Sequence, residues 1–274
     1  MTTYRLTLEY DGSRYRGWQE QQNARSVTGE LRAALNGVTE GVGEIAGSGR
    51  TDAGVHALEQ TAHLRLARPM DPGTLRRETN ALLPADIHLL AVEAVPATFH
   101  ARHSAVARSY LYQVSLRRTA LAKRFVWWVK QPLDLDLLRQ GAARIVGRHD
   151  FRLFCERPGE QSSTLVVVEA VDTAVEGALV LVRFRASHFL WKMVRRLTGS
   201  LVRVAAGELP LEVFFGLLEG TPARGREEAP AAWTAPPSGL FLERVHYPGE
   251  EPLGPIRSAV PVSLGREAAM FRRR

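Results

Sequence analysis

Strand-like segments in this sequence arrive in pairs between amphipathic helices, and the order β-α-β-β-α-β occurs twice. Residues 3–11 alternate, with Tyr4, Leu6, Leu8 and Tyr10 on one face and Arg5, Thr7 and Glu9 on the other, the pattern of a half-buried strand. Ser26 is placed to cap a helix to Val38, whose Val27, Leu31, Leu35 and Val38 form one stripe. Short strands are expected over 43–49 and 60–66. A helix opened by Asp71-Pro72 should run to 83, followed by a strand over 87–95. The second half repeats the scheme. A strand over 106–116 precedes a helix capped by Asp134 and running to Val146, and strands over 164–175 and 178–185 meet at Glu176-Gly177. A long helix over 188–206, a short one over 211–218 and a last strand over 240–246 complete it. Paired strands disfavour a purely parallel, doubly wound sheet. The expected class is therefore α+β, with two topologically similar halves forming one mixed, mostly antiparallel central sheet flanked by helices. The expected divisions are 1–103, 104–248 and a tail, 249–274, whose Pro/Gly-punctuated composition reads as a mobile, solvated end.

Charge is spread unevenly along the 274 residues, whose formal net charge is +7. Residues 104–248 carry 20 Arg or Lys against 14 Asp or Glu, whereas 1–103 carry 11 against 12. All but three of the cations are arginines, which fork phosphates and stack on bases, so the second half suits a nucleic acid. An arginine-rich genome gives the same bias. No apolar run approaches the ~18–20 residues that span a bilayer. The start of the chain leads straight into the strand pattern, and Cys155 is the only cysteine. The expectation is a soluble, cytoplasmic protein without disulfides or a membrane segment.

Three stretches stand out chemically. In Gly47-Ser48-Gly49-Arg50-Thr51-Asp52-Ala53-Gly54-Val55-His56, three glycines bracket one carboxylate. Such a loop presents a side chain well, and Arg50, two residues from Asp52, would favour its ionised form. A tight turn whose aspartate bonds its own backbone fits the same residues. In the segment from His188 to Arg196, Lys192, Arg195 and Arg196 lie amid apolar residues. Either their stems snorkel over the core, or one guanidinium turns inward, which requires an inward carboxylate; Asp52 is the candidate. From Phe99 to Tyr112, arginines interleave with aromatics, as in surfaces that hold unstacked bases. An amphipathic strand with edge tyrosines reads the same way. No phosphate loop, dinucleotide fingerprint, nucleophile elbow or zinc spacing occurs. The pairs His56/His63 and His100/His103 read as surface or satisfied core rather than as ligands.

Taken together, Tyr10-Asp11-Gly12-Ser13-x-Tyr15-x-Gly17-Trp18-Gln19, Gly49-Arg50-Thr51-Asp52-Ala53-Gly54-Val55-His56, Phe99-His100-Ala101-Arg102, Ala107-Arg108-x-Tyr110-x-Tyr112, Met193-Val194-Arg195 and Gly239-Leu240-Phe241-Leu242 closely resemble the TruA-type tRNA pseudouridine synthases. The resemblance implies the pseudouridine synthase fold and a homodimer that binds tRNA. It implies conversion of uridine to pseudouridine at positions 38, 39 and 40 of the anticodon stem-loop, with no metal or organic cofactor. Carried over by position, Asp52 is the catalytic aspartate, Tyr110 stacks on the target base, Arg195 pairs with Asp52, and Arg50 helps displace the uridine. Ser109, Ser163 and Trp191-Lys192 depart from the family pattern. An RNA N-glycosidase and a tRNA-binding chaperone without chemistry are the alternatives.

Overall fold

The computed structural model describes residues 1–221, 225 and 229–264. The fold is α+β, a mixed, mostly antiparallel sheet of ten strands with five α-helices among the described residues. By internal contacts the chain forms two compact units, one of Met1–Ser109 with Phe241–Glu251, the other of Tyr110–Leu240 with Pro252–Arg274.

The first unit is built on β1 (Thr2–Tyr10) and β3 (His56–Leu66), paired antiparallel so that Leu6 faces Ala62 and Tyr4 faces Leu64. Strand β4 (Ile87–Val95) pairs with the other edge of β1. Two strands share the far edge of β3. The first, β2 (Val42–Gly47), pairs antiparallel with its C-terminal half, and β10 (Leu240–His246) runs parallel to its first residues. The loop between β2 and β3, residues 48–55, thus leaves the sheet where β10 begins to pair. The expected strand at 60–66 starts four residues earlier, because His56 and Ala57 find partners in Phe241 and Leu242, far away in sequence. Helix α1 (Val27–Val38) is as expected, with the Ser26 hydroxyl accepting from Gly29 N–H at 3.2 Å. Helix α2 (Pro72–Leu82) has Asp71 as its cap, accepting from Thr74 N–H at 2.8 Å.

The second unit orders its strands as β5 (Ala107–Ser115, here from Tyr110), β9 (Leu179–Ala186), β8 (Leu165–Glu176) and β7 (Gly147–Asp150). A two-residue strand β6 (Trp127–Trp128) lies parallel to β5. Helices α3 (Leu135–Ile145), α4 (Met193–Ala205) and α5 (Leu211–Leu218) pack on one another. Strands β6 and β7 escape the sequence pattern because two and four residues carry no readable period.

Two expectations are corrected here. Helix α4 begins at Met193, not His188, because Lys192 has φ +61°, a left-handed conformation that no helix continues through. The start of the tail is no free end. Gly254 O accepts from Arg183, Ser258 donates to Glu176, Val262 O accepts from Ala178 N–H, and Val262 is 4% exposed. A Pro/Gly-punctuated segment held by scattered polar bonds has no hydrophobic period to betray it.

Candidate functional site

Asp52 sits at the first position of a tight turn. Val55 N–H donates to Asp52 O at 3.1 Å, and Gly54, with φ +78°, takes the position that requires a left-handed residue. The Asp52 backbone makes this turn, and the residue is half-buried. The preceding polar loop grips the turn. Trp18 N–H donates to Thr51 O at 3.1 Å, Gly54 N–H to Tyr15 O at 3.3 Å, and the Tyr10 and Thr51 hydroxyls share a bond of 2.8 Å. At Gly17 the approach is so close that a Cβ would stand 2.5 Å from Thr51 O. The Tyr15 hydroxyl is tied to the Asp86 carboxylate, and burial together with that bond pushes its pKa up.

The other side of the loop is held as firmly. Gln60, fully buried, accepts from the Ser48 hydroxyl at 2.8 Å and donates to Gly49 O at 3.0 Å. Arg108 bridges Ser48 O and Arg102 O at 3.1 and 2.7 Å, so the interleaved stretch is bound to the same loop. His56 stacks on Phe241, ring centres 4.8 Å apart, and its Nδ1 accepts from Gly12 N–H at 3.1 Å. Arg50 is exposed beside Asp52. The first unit therefore offers one carboxylate and one cation on a loop fixed from several directions.

Tyr110 and Arg195 belong to the second unit. Tyr110 meets Phe189 edge-on at 5.1 Å, which fixes the plane of its ring. Arg195, on the first turn of α4, is clasped to Ala235. Its Nε donates to Ala235 O at 2.7 Å, and its own carbonyl accepts from Ala235 N–H at 3.1 Å. Gly199 makes this possible, since a Cβ there would lie 1.6 Å from Trp233 O. Its neighbour Arg196 is 6% exposed, pairs with Glu156 and donates to Cys155 O at 2.6 Å. The sequence had singled out both arginines but not Glu156, which has no motif around it.

Glu44, His63 and His100 bring one possible ligand atom each to within 4.8 Å of one another. Their hydrogen bonds decide what they do. His63 Nδ1 accepts from Ala101 N–H at 3.2 Å, and His100 Nδ1 accepts from Arg102 N–H at 3.2 Å. Neutral imidazole accepting at Nδ1 carries its proton on Nε2. Metal-bound histidines need the reverse, with the free nitrogen donating. His63 Nε2 lies 3.4 Å from the Glu44 carboxylate. Burial and the two neighbouring histidines lower the His100 pKa. Through these bonds His63 and His100 tie the interleaved segment to β3.

Residues 7–104 and 142–248 match the family model described as tRNA pseudouridine synthase, and the chain belongs to that family, which makes it an isomerase. It is 40% identical over 252 residues to the tRNA pseudouridine synthase A of Rhizobium meliloti (strain 1021), covering 90% of this chain and 100% of that one. The protein of the same name from Nitrobacter winogradskyi is 41% identical over 256 residues, covering 92% and 98%. That of Dinoroseobacter shibae is 39% identical over 263 residues, covering 93% and 100%. Among the described residues no helix is long and apolar enough to cross a membrane.

Proposed function

We propose that the protein isomerises uridine to pseudouridine at positions 38, 39 and 40 of the anticodon stem-loop of tRNA, as a cytoplasmic homodimer. The reaction breaks the C1′–N1 glycosidic bond, turns the uracil and joins C1′ to C5, releasing the C5 proton. No atom is added and nothing is oxidised, so one well-placed ionised carboxylate is the essential group. Asp52 supplies it. Arg195 is the cation that keeps it ionised, Tyr110 stacks on the extruded base, and Arg50 fills the space the base leaves. Extrusion costs a few kcal/mol, which the stacking and the filled gap offset. Arginines of residues 104–248 hold the phosphates, so affinity falls as salt rises.

The observation that carries this reading is the Asp52 turn, a half-exposed carboxylate on a loop held by Tyr10, Tyr15, Trp18 and Gln60. Its rigidity is what a nucleophile or base needs and a solvated turn does not. The test is tritium release from tRNA transcripts carrying 5-tritiated uridine, wild type beside Asp52→Asn, with the modified positions mapped afterwards. Wild type should release tritium at constant RNA mass, and Asp52→Asn should release none while still binding tRNA. Equal release from both would overturn the role of Asp52. Loss of RNA mass with free uracil would mean glycosidase action, and modification elsewhere in the tRNA would overturn the anticodon positions.

A further inference from the structure

A cleft of about 470 Å³ in the second unit is lined by Trp128, Lys130, Gln131, Arg203, Glu208 and Trp233, among others. That volume is in the range of small-ligand sites. Its floor is α4. Arg195, Gly199, Arg203 and Ala206 recur at the spacing of one helical face, so the cleft opens about 6 Å, one turn, beyond Arg195. Its wall is the segment that anchors Arg195, since Trp233 is two residues before Ala235. The cleft is therefore continuous with the scaffold that holds Arg195.

Its chemistry is that of aromatic planes beside cations. Trp128 is 39% exposed, with the Arg118 guanidinium 5.8 Å from its ring centre. Arg203 lies 5.3 Å from the ring centre of Trp233. Lys130 is exposed, and among the described residues no carboxylate pairs with it. Among the described residues Glu208 is the one carboxylate on the lining, and Arg203 neutralises it at 3.2 Å. A large exposed tryptophan with cations around it and one neutralised acid complements a flat, π-faced ligand carrying negative charge. Single-stranded nucleotides have that chemistry.

We infer that this cleft is a nucleotide subsite, in which a tRNA base away from the modified uridine stacks on Trp128 while Lys130 contacts its phosphate. The inference rests on the tRNA reading above and adds a contact outside the reacting atoms. A site of this kind contributes binding and leaves the chemical step alone.

The test uses the full-length protein and a tRNA transcript, measuring Kd and the saturated rate of tritium release for wild type, Trp128→Ala, Trp128→Phe and Lys130→Ala. Trp128→Ala should raise Kd roughly tenfold with kcat unchanged, and Trp128→Phe should stay within about threefold of wild type. Lys130→Ala should weaken binding and lower the slope of log K against log salt by about one. Sedimentation of each variant reports its oligomeric state. Wild-type activity with unchanged Kd in Trp128→Ala and Lys130→Ala overturns the subsite. So does a Trp128→Ala variant that changes oligomeric state, which would make the cleft a contact between copies. A wild type that releases no tritium defeats the tRNA reading instead, so the two failures are distinct.

Discussion

Glu156 and Arg196 form an ion pair, one partner on the loop after β7 and the other on α4, with Lys192 closing on the second carboxylate oxygen at 3.2 Å. Burial raises the Glu156 pKa, but the Lys192 hydrogen bond and the Arg196 charge outweigh it and hold the carboxyl below its ordinary range. Glu156 N–H also donates to Trp191 O at 2.9 Å, so the pair fixes the turn from which α4 starts. Because the folded pKa is depressed, the pair's contribution is full above the pKa of an unfolded glutamate, about 4.3, and fades as pH falls through the lower folded value. Glu156→Gln leaves a buried guanidinium without its counter-charge. It should cost about 2 kcal/mol at pH 7, the penalty being moderated by the carboxylate's remaining solvent contact. Urea midpoints of wild type and Glu156→Gln should converge as pH is lowered below about 4. A gap that stays constant down to pH 3 would refute the pair's role.

Two glycine-to-alanine changes should move stability in opposite directions. Gly216 lies inside α5, and a Cβ there meets only ordinary contacts with Thr221 at 3.5 Å. Gly216→Ala should stabilise by about 0.5–1 kcal/mol, since alanine loses less backbone freedom in a helix. Gly199→Ala puts a methyl 1.6 Å from Trp233 O and must push the Trp233–Ala235 segment off α4. It should cost about 1–3 kcal/mol and lower kcat by pulling Ala235 away from the Arg195 guanidinium. Denaturant titration and tritium release, run on both variants, check the two signs together.

The turn that carries Asp52 gives a sharper test of positioning. Gly54 has φ +78°, where an alanine costs about 1–2 kcal/mol. That cost falls on the turn, and the Val55 to Asp52 hydrogen bond should loosen with it. Gly54→Ala should therefore lower kcat by tenfold or more while Kd for tRNA stays within about threefold. The affinity comes chiefly from phosphate contacts elsewhere. A variant that binds tRNA tenfold worse at unchanged kcat would mean that the loop serves binding rather than chemistry.

What the sequence could and could not reveal follows from where each signal resides. Helix α1 was readable to the residue because its cap, Ser26, and its stripe are local. The Asp52 loop was readable because Gly47 answers to the close approach of Trp18 and Gly54 to a left-handed turn. The start of α4 was not, because Phe189, Leu190 and Trp191 keep an apolar rhythm while Lys192 breaks the helix without glycine or asparagine to signal it. Nor could spacing tell Arg195 from Arg196 as the buried one. That depends on Glu156, forty residues away, and on Ala235, forty residues the other way. Long-range polar partners leave no period in a sequence.

The last described residues make the same point in energetic form. Gln113 is fully buried, and its Oε1 accepts from Ala259 N–H at 2.6 Å. Ser258 donates from its N–H and its hydroxyl to Glu176, and those bonds hold the Glu176 carboxyl below its ordinary range. At the turn between β8 and β9, Gly177, with φ +58°, lies against Val262 O, and the Val262 side chain is covered. Ending the chain after Glu251 removes one buried apolar side chain, worth about 1.5–3 kcal/mol, and orphans a buried acceptor at about 1–3 kcal/mol. The two losses together, about 2.5–6 kcal/mol, should make the truncated protein melt roughly 5–24 °C lower, at about 2–4 °C per kcal/mol for a chain of this size. Ending it after Leu264 keeps all of these contacts, so that protein should melt above the one ended after Glu251 by about that margin. Equal melting temperatures for the two truncations would show that residues 252–264 contribute nothing to the second unit, and the strap they form would have to be abandoned.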